Sequence, residues 1–151
     1  MITIDRAENP EAIERVRGLL LAYGRSIDFH LCFENFQREL DALPAPYLRP
    51  DGALFLAADT GAPAGVAAFK KISPTVCELK RLYVASAHRG HGLGRALAKR
   101  VIEEAQAAGY RTMLLDTLHS MTVAQTLYRS LGFQETARNA ETLDFALNLA
   151  P

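Results

Sequence analysis

The 151-residue chain is 49% hydrophobic and 23% charged, with 17 Lys and Arg against 17 Asp and Glu. This excludes a disordered or fibrous protein and fits one globular α+β domain spanning residues 1–151. A chain of this length buries roughly 70% of its extended surface on folding, so neither disulfides nor a structural metal is required. Zero formal net charge and a pI near 6.9 provide no electrostatic footprint for nucleic acid or an anionic membrane. The first residues lack the features of a secretory leader and no apolar run reaches membrane-spanning length, which together predict a cytoplasmic protein. Cys32 and Cys77 have no CxxC partner and read as reduced thiols.

Residues 1–5 alternate in polarity like a strand. Asn9 followed by Pro10 makes an N-cap with proline at the first helical position. Ile13, Val16, Leu20 and Tyr23 then recur at helical spacing until Gly24, where the helix is predicted to end. A second amphipathic stretch carries Phe33, Phe36, Leu40 and Leu43 on one face and stops at Pro44. The two helices are expected to be neighbours, with Asp28 and His30 between them. Residues 53–59 and 65–71 are short apolar strands joined across Asp59-Thr60-Gly61-Ala62-Pro63, which predicts a hairpin.

Residues 77–84 form a third strand of mixed polarity. Simple alternation puts Cys77, Leu79, Arg81 and Tyr83 on one face and Glu78, Lys80, Leu82 and Val84 on the other. Charge on both faces of an interior strand needs partners or a cavity, because an unpaired buried charge costs several kcal/mol. After a glycine-rich segment, Leu93, Leu97, Val101, Ala105 and Ala108 form one stripe of a helix closed by Gly109. Residues 112–117 read as a buried strand. Ser120 is the expected N-cap of a shorter helix carrying Val123, Ala124, Leu127 and Leu131, stopped by Gly132, and residues 133–137 and 142–149 close the fold as strands.

The informative stretch is Arg89-Gly90-His91-Gly92-Leu93-Gly94, where a strand hands over to a helix. Glycines there let backbone N–H groups approach a ligand, and the positive end of the helix dipole favours phosphate. No Gly-Lys-Ser or Gly-Lys-Thr follows, so the segment is not a P-loop. A GxGxxG fingerprint fails in both registers, because Arg95 or Leu97 stands where its last glycine belongs. Asp116, at the end of the next strand, imitates a ribose-binding acid, yet the remaining chain is too short to complete a dinucleotide fold.

The pattern Arg89-x-x-Gly92-x-Gly94 resembles the pyrophosphate loop of the GCN5-related N-acetyltransferases (GNAT). Leu82-Tyr83-Val84 before it and Tyr128-Arg129-Ser130-Leu131-Gly132-Phe133 after the last helix resemble further blocks of that family, over about residues 53–136. The run from Cys77 through Glu78 to Val84, with Leu115-Asp116-Thr117, is similar to a bacterial subgroup. The resemblance implies a mixed, mostly antiparallel central sheet flanked by helices, with a splay between the two central strands. It also implies that acetyl-CoA lies in the splay, its pantetheine arm near Leu82, Tyr83 and Val84. The pyrophosphate would rest on Arg89, Gly90, His91, Gly92, Leu93, Gly94 and Arg95, and a strand N–H would polarise the thioester carbonyl. An asparagine common in the first turn of the last helix is Met121 here, so Ser120 is the candidate to replace its contact.

By the same resemblance the chain transfers acetyl directly from acetyl-CoA to a primary amine, on a small molecule or a protein. A free amine of this kind has a pKa near 10.4, so a base must take its proton. Glu78 is the candidate, with an ion pair to Lys80 or a neighbouring strand as the alternative. Tyr128 is the candidate acid for the departing thiolate, with simple packing on the helix face as the alternative. A phenol near 10 is a weaker acid than a thiol near 8.5 by roughly 2 kcal/mol, so Tyr128 would act through a strong hydrogen bond. His88 and His91 lack the further ligands of a metal site and read as solvent-facing loop residues, so no metal is expected. Cys77 reads as a structural thiol. A non-catalytic CoA-binding regulatory module and, with less support, a nicotinamide-dependent oxidoreductase are the competing functions. The acceptor cannot be read from the sequence, and a homodimer is the assembly common in the family.

Overall fold

The computed structural model describes residues 1–26 and 33–150. Asp28, His30 and Cys32 lie outside these residues. Seven strands form one sheet in the order β1-β2-β3-β4-β5-β7-β6: β1 (Ile2–Arg6), β2 (Ala53–Asp59), β3 (Ala62–Ser73), β4 (Val76–Val84), β5 (Thr112–Leu118), β6 (Gln134–Arg138) and β7 (Thr142–Asn148). Every neighbouring pair is antiparallel except β4 with β5. This is the mixed, mostly antiparallel sheet expected, and it differs from the doubly wound parallel sheet of dinucleotide folds.

Helices α1 (Pro10–Ser26) and α2 (Phe33–Ala42) cover one face, and α3 (Leu93–Ala107) and α4 (Thr122–Ser130) cover the other. Two hydrophobic clusters result. Val16, Leu20, Phe36 and Leu40 pack on Leu54, Val66 and Ala68 on the α1/α2 face. Leu97, Val101 and Ala105 pack on Phe55, Phe69, Met113 and Phe145 on the α3/α4 face. Alternation along β2 and β3 divides their residues between the two clusters, as the period of a strand buried on both faces requires.

Helix ends follow local chemistry in one case and packing in another. Asn9 Oδ1 accepts from the Ala12 N–H at 2.8 Å, so the N-cap of α1 forms as expected. The helix continues through Gly24 to Ser26, because Gly24 serves a contact: a Cβ there would lie 2.9 Å from Cε2 of the Phe36 ring. Ser120 does not cap α4. Met121 holds the N-cap position with no side-chain cap bond, and the helix begins at Thr122.

The close approach of α3 to the sheet rests on Gly65 and Leu97. A Cβ at Gly65 would come within 2.8 Å of Leu97 Cδ1 and 3.0 Å of the Tyr83 carbonyl oxygen. Leu97 itself is fully buried. Leu97→Ala should therefore destabilise the protein by about 2–5 kcal/mol and Gly65→Ala by about 1–3 kcal/mol, both read from denaturant unfolding.

Candidate active site

Strand β4 is bonded to β5 only from Val76 opposite Thr112 to Glu78 opposite Leu114. Residues 79–84 continue without a β5 partner, and this is the splay. A bulge sits in the same segment. Val66 pairs with Tyr83 and Ala68 with Lys80, so Arg81 and Leu82 together oppose Ala67, and Arg81 adopts φ +61°.

The bulge corrects the alternation inferred from sequence. Leu82 and Val84 pack on the α3/α4 cluster with Cys77 and Leu79, and Tyr83 joins the α1/α2 cluster. Glu78, whose register partner Lys70 lies next to Leu79's partner Phe69, stands on the α1/α2 face and does not share one with Leu82 and Val84. The extra residue inverts every side chain beyond it.

After β4 the chain makes a 3-10 turn (Ser86–His88) and enters α3 through Gly90 and Gly92, at φ +83° and +80°. Gly92 is the N-cap. A Cβ on either residue would meet no protein atom within 4 Å, so the loop leaves open space above its backbone. The first N–H groups of α3 have no partner within the helix and point the same way as its dipole. Gly94 differs: its Cβ would touch Leu127 and Val84 at ordinary contact distances of 3.6 and 3.7 Å, toward the protein. Arg89 donates from Nε to the Val84 carbonyl at 3.0 Å and lies over the Tyr83 ring at 5.6 Å, fastening the loop to the strand end.

These elements enclose a cleft of about 480 Å³. Leu82, Tyr83, Val84, Arg89, Gly90, Gly92, Leu93, Gly94, Ser120 and Tyr128 line it, all of them expected from the sequence. His91 and Arg95 do not: His91 is exposed, and the Arg95 guanidinium donates to Ser130 Oγ at 2.8 Å. Tyr23, Met121, Thr122, Val123 and Leu127 also line the cleft without having been singled out as ligand contacts. In the sequence Met121 stands out only as the position of the family's asparagine, Val123 and Leu127 only as the apolar stripe of α4, and Tyr23 only as part of the apolar stripe of α1.

Tyr128 is 7% exposed and packs against Phe133 and Phe145, with ring centroids 5.8 and 6.3 Å away. Its hydroxyl has no hydrogen-bond partner among the described residues. Burial raises its pKa well above the usual phenol value, with Tyr23 and Asp116 adding to the rise. Tyr23 stands 5.1 Å from Tyr83, ring to ring, and is likewise pushed up by burial. Asp116 acts on both phenols from the exposed side of β5, beyond the point where β4 and β5 part.

Glu78 is outside the cleft lining, and its Oε1 lies 3.8 Å from Lys70 Nζ on the adjacent strand. The ion pair is therefore with β3 and not with Lys80. Cys77 is buried, contacts the Thr112 carbonyl at 3.7 Å, and has its thiol pushed up to about 12 by burial, the state of a structural thiol. His88 departs from the solvent-facing reading: it lines the cleft, its Nε2 is 3.4 Å from Asp59 Oδ2, and its Nδ1 is buried without a partner. Among the described residues no three His, Cys, Asp or Glu side chains are grouped to hold a metal ion.

Behind the bulge, Arg81 Nε donates to Glu39 Oε2 at 2.6 Å and the Tyr47 hydroxyl donates to the same oxygen at 2.8 Å. Burial pushes the Glu39 carboxyl up, but the Arg81 hydrogen bond and charge, with Tyr47, outweigh it and hold the group below the usual range. A lowered folded-state pKa contributes stability above the unfolded value and loses it as pH falls through the folded one.

A glycine loop at a helix N-terminus, beside a strand released from its neighbour in a mostly antiparallel sheet, sets this cleft apart from the dinucleotide site of a doubly wound fold. The family model "Acetyltransferase (GNAT) family" matches residues 15–133, and the chain belongs to that family. It is 34% identical over 137 residues to an uncharacterised N-acetyltransferase of Schizosaccharomyces pombe, covering 89% of this chain and 84% of that protein. A GNAT-family acetyltransferase of Staphylococcus aureus Mu50 has the same fold at a TM-score of 0.84 and 21% identity, over 99% of this chain and 100% of that one. The protein yncA of Salmonella typhimurium, solved with its cofactor acetyl-CoA, superposes at a TM-score of 0.78 with 23% identity, over 99% of this chain and 94% of that one. Among the described residues no helix is long and apolar enough to cross a membrane.

Gly92 and Gly94 should separate on substitution. Gly92→Val forces a β-branched residue to positive φ and should weaken CoA binding by at least roughly tenfold, whereas Gly94→Ala should bind CoA nearly as wild type and melt no lower. Calorimetric titration with CoA and thermal melting of both variants measure this. Glu39→Gln should narrow the stability gap to wild type as pH falls below about 4, followed by denaturant unfolding across pH.

Proposed function

We propose that this protein is an N-acetyltransferase that moves the acetyl group of acetyl-CoA to a primary amine, on a small molecule or a protein, in one complex holding both. The observation that carries the reading is Tyr128: a side chain only 7% exposed, on the wall of a cleft whose other end is an open glycine loop, with a hydroxyl that makes no hydrogen bond among the described residues. The residues fit the cosubstrate. Gly90, Gly92 and the first N–H groups of α3 would take the diphosphate, His88 and Arg89 flank it, and residues 82–84 offer strand backbone to the pantetheine arm. The bound thioester supplies an activated acetyl carbon.

Each remaining step belongs to the protein. The edge of residues 79–84 that is released from β5 offers backbone N–H to the charge that develops on the carbonyl oxygen. The amine nitrogen forms a bond to carbon, its proton passes to a carboxylate, and the carbon–sulfur bond breaks. Two carboxylates stand on the α1/α2 face at the splay. Glu78, the residue the resemblance indicates, is shared with Lys70, while Asp116 has no ion-pair partner among the described residues and lies nearer the phenols. Tyr128 donates a hydrogen bond to the departing sulfur. Its raised pKa makes full transfer to an ordinary thiolate still more uphill than the roughly 2 kcal/mol between free groups. A thiolate in the same apolar cleft is raised too, which brings the pair back toward balance.

Thermal unfolding with acetyl-CoA, CoA and NAD tests the cofactor, since occupancy at about 100 times Kd adds roughly 2.7 kcal/mol. Stabilisation by both CoA species and not by NAD is expected; stabilisation by NAD alone would overturn the reading. Equal CoA stabilisation with no turnover of any amine would leave a regulatory CoA-binding module. Once an acceptor is found, Tyr128→Phe should lower kcat by about 10²-fold with the fold intact, and no alkaline loss of activity below about pH 10 should come from this residue. Glu78→Gln and Asp116→Asn, compared by pH–rate profile, should differ: the variant that loses the acidic limb identifies the proton acceptor.

A further inference from the structure

Arg81 occupies a backbone conformation that favours glycine or asparagine, at φ +61° in the middle of a strand. Its side chain is correspondingly well held. The Arg81–Glu39 pair is 15% and 16% exposed, Tyr47 shares the carboxylate oxygen, and the guanidinium lies over the Phe36 ring at 5.0 Å. Glu39 and Phe36 belong to α2 and Tyr47 to the loop after it, so one segment grips β4 at the bulge from outside the sheet. The grip acts where it matters for the cleft. Without the extra residue, Leu82 and Val84 would fall on the face of Glu78 and Lys80, and the strand would present different side chains to the ligand.

We propose that Arg81 is a positioning residue for acyl transfer: tied to Glu39 and Tyr47, it holds the β4 bulge and so aims residues 82–84 into the cleft. This rests on the reading of the cleft as the CoA site. Glu39 is not among the residues that line the cleft, and the strand it grips through Arg81 is its route to the cofactor. A salt bridge that only added stability would leave CoA affinity alone once the protein was folded.

The test uses Arg81→Gly, Glu39→Gln and, as a control, Val16→Ala, which opens a cavity in the α1/α2 core without touching the clasp. Glycine accepts positive φ, so Arg81→Gly removes the grip and leaves the bulge sterically allowed. The readouts are CoA and acetyl-CoA titration by calorimetry and amide hydrogen exchange across residues 76–84, at a temperature where all variants are folded. Arg81→Gly and Glu39→Gln should each lose about tenfold or more in CoA affinity and exchange faster at residues 79–84, while Val16→Ala keeps its affinity within about twofold. CoA affinity of Arg81→Gly within about twofold of wild type, with unchanged exchange, overturns the proposal. Should Arg81→Gly not fold, Glu39→Gln, which preserves side-chain volume, carries both readouts. If the wild type binds neither CoA species, the cofactor reading has failed separately, and exchange alone decides the clasp: faster at residues 79–84 sustains it, unchanged overturns it.

Discussion

A strand in the middle of a sheet must satisfy its backbone on both edges, and β4 has a strand on only one edge after Glu78. The missing partner is the constraint around which the site is arranged. β3 holds β4 on the other side, interrupted by the bulge at Arg81 and Leu82. The loop of Gly90 and Gly92 turns the chain back beside the exposed edge, and α4 brings Tyr128 across the gap. A ligand that offers amide groups along its length is what such an edge can accept, and a phosphate at the end of that ligand is what the start of α3 can accept.

Where local chemistry decides, the sequence was readable. Asn9 before Pro10, the glycine-rich turn before Leu93 and the apolar stripe of Leu97, Val101 and Ala105 each carry their own physical signature, and each is found as expected. The GNAT resemblance supplied the splay, which no composition or period announces. Beyond Arg81 the reading of faces failed, because a period-two pattern carries no mark of an inserted residue when the residue at positive φ is arginine. A glycine or asparagine there would have raised the question. Gly24 misled in the opposite way: a glycine at a plausible helix end was there for the Phe36 ring. The acceptor side was least legible, since its side chains are placed by the packing of α1 and α2 on the sheet and by the divergence of β4 from β5.

The electrostatics of the site follow from the burial of its phenols. Tyr128 and Tyr23 are raised chiefly by burial, with the Asp116 charge adding at both and the Arg81 charge opposing at Tyr23, so the cleft favours neutral phenols and penalises an isolated anion. The same environment strengthens any hydrogen bond donated to developing charge within it. Ion pairs are kept outside: Arg81 with Glu39 behind the strand and Lys70 with Glu78 on the α1/α2 face. Around Tyr128 the wall is made of Leu, Val, Met and Tyr side chains, and the one arginine of the lining, Arg89, stands at the glycine-loop end.

The seam between β4 and β5 spans only the register from Val76 to Glu78, and it divides the sheet into an amino-terminal part, β1 to β4, and a carboxy-terminal part, β5 to β7. The first is built from successive neighbours in the chain; the second can dock only after α3 has crossed over. Because the cleft takes one wall from residues 82–94 and the other from residues 120–128, it does not exist until that docking is complete. During synthesis the pocket therefore cannot appear before residues 120–128 have been made and docked. A cofactor bound across the seam would act as a clamp between the two parts, so that occupancy slows their separation as well as supplying the acetyl group.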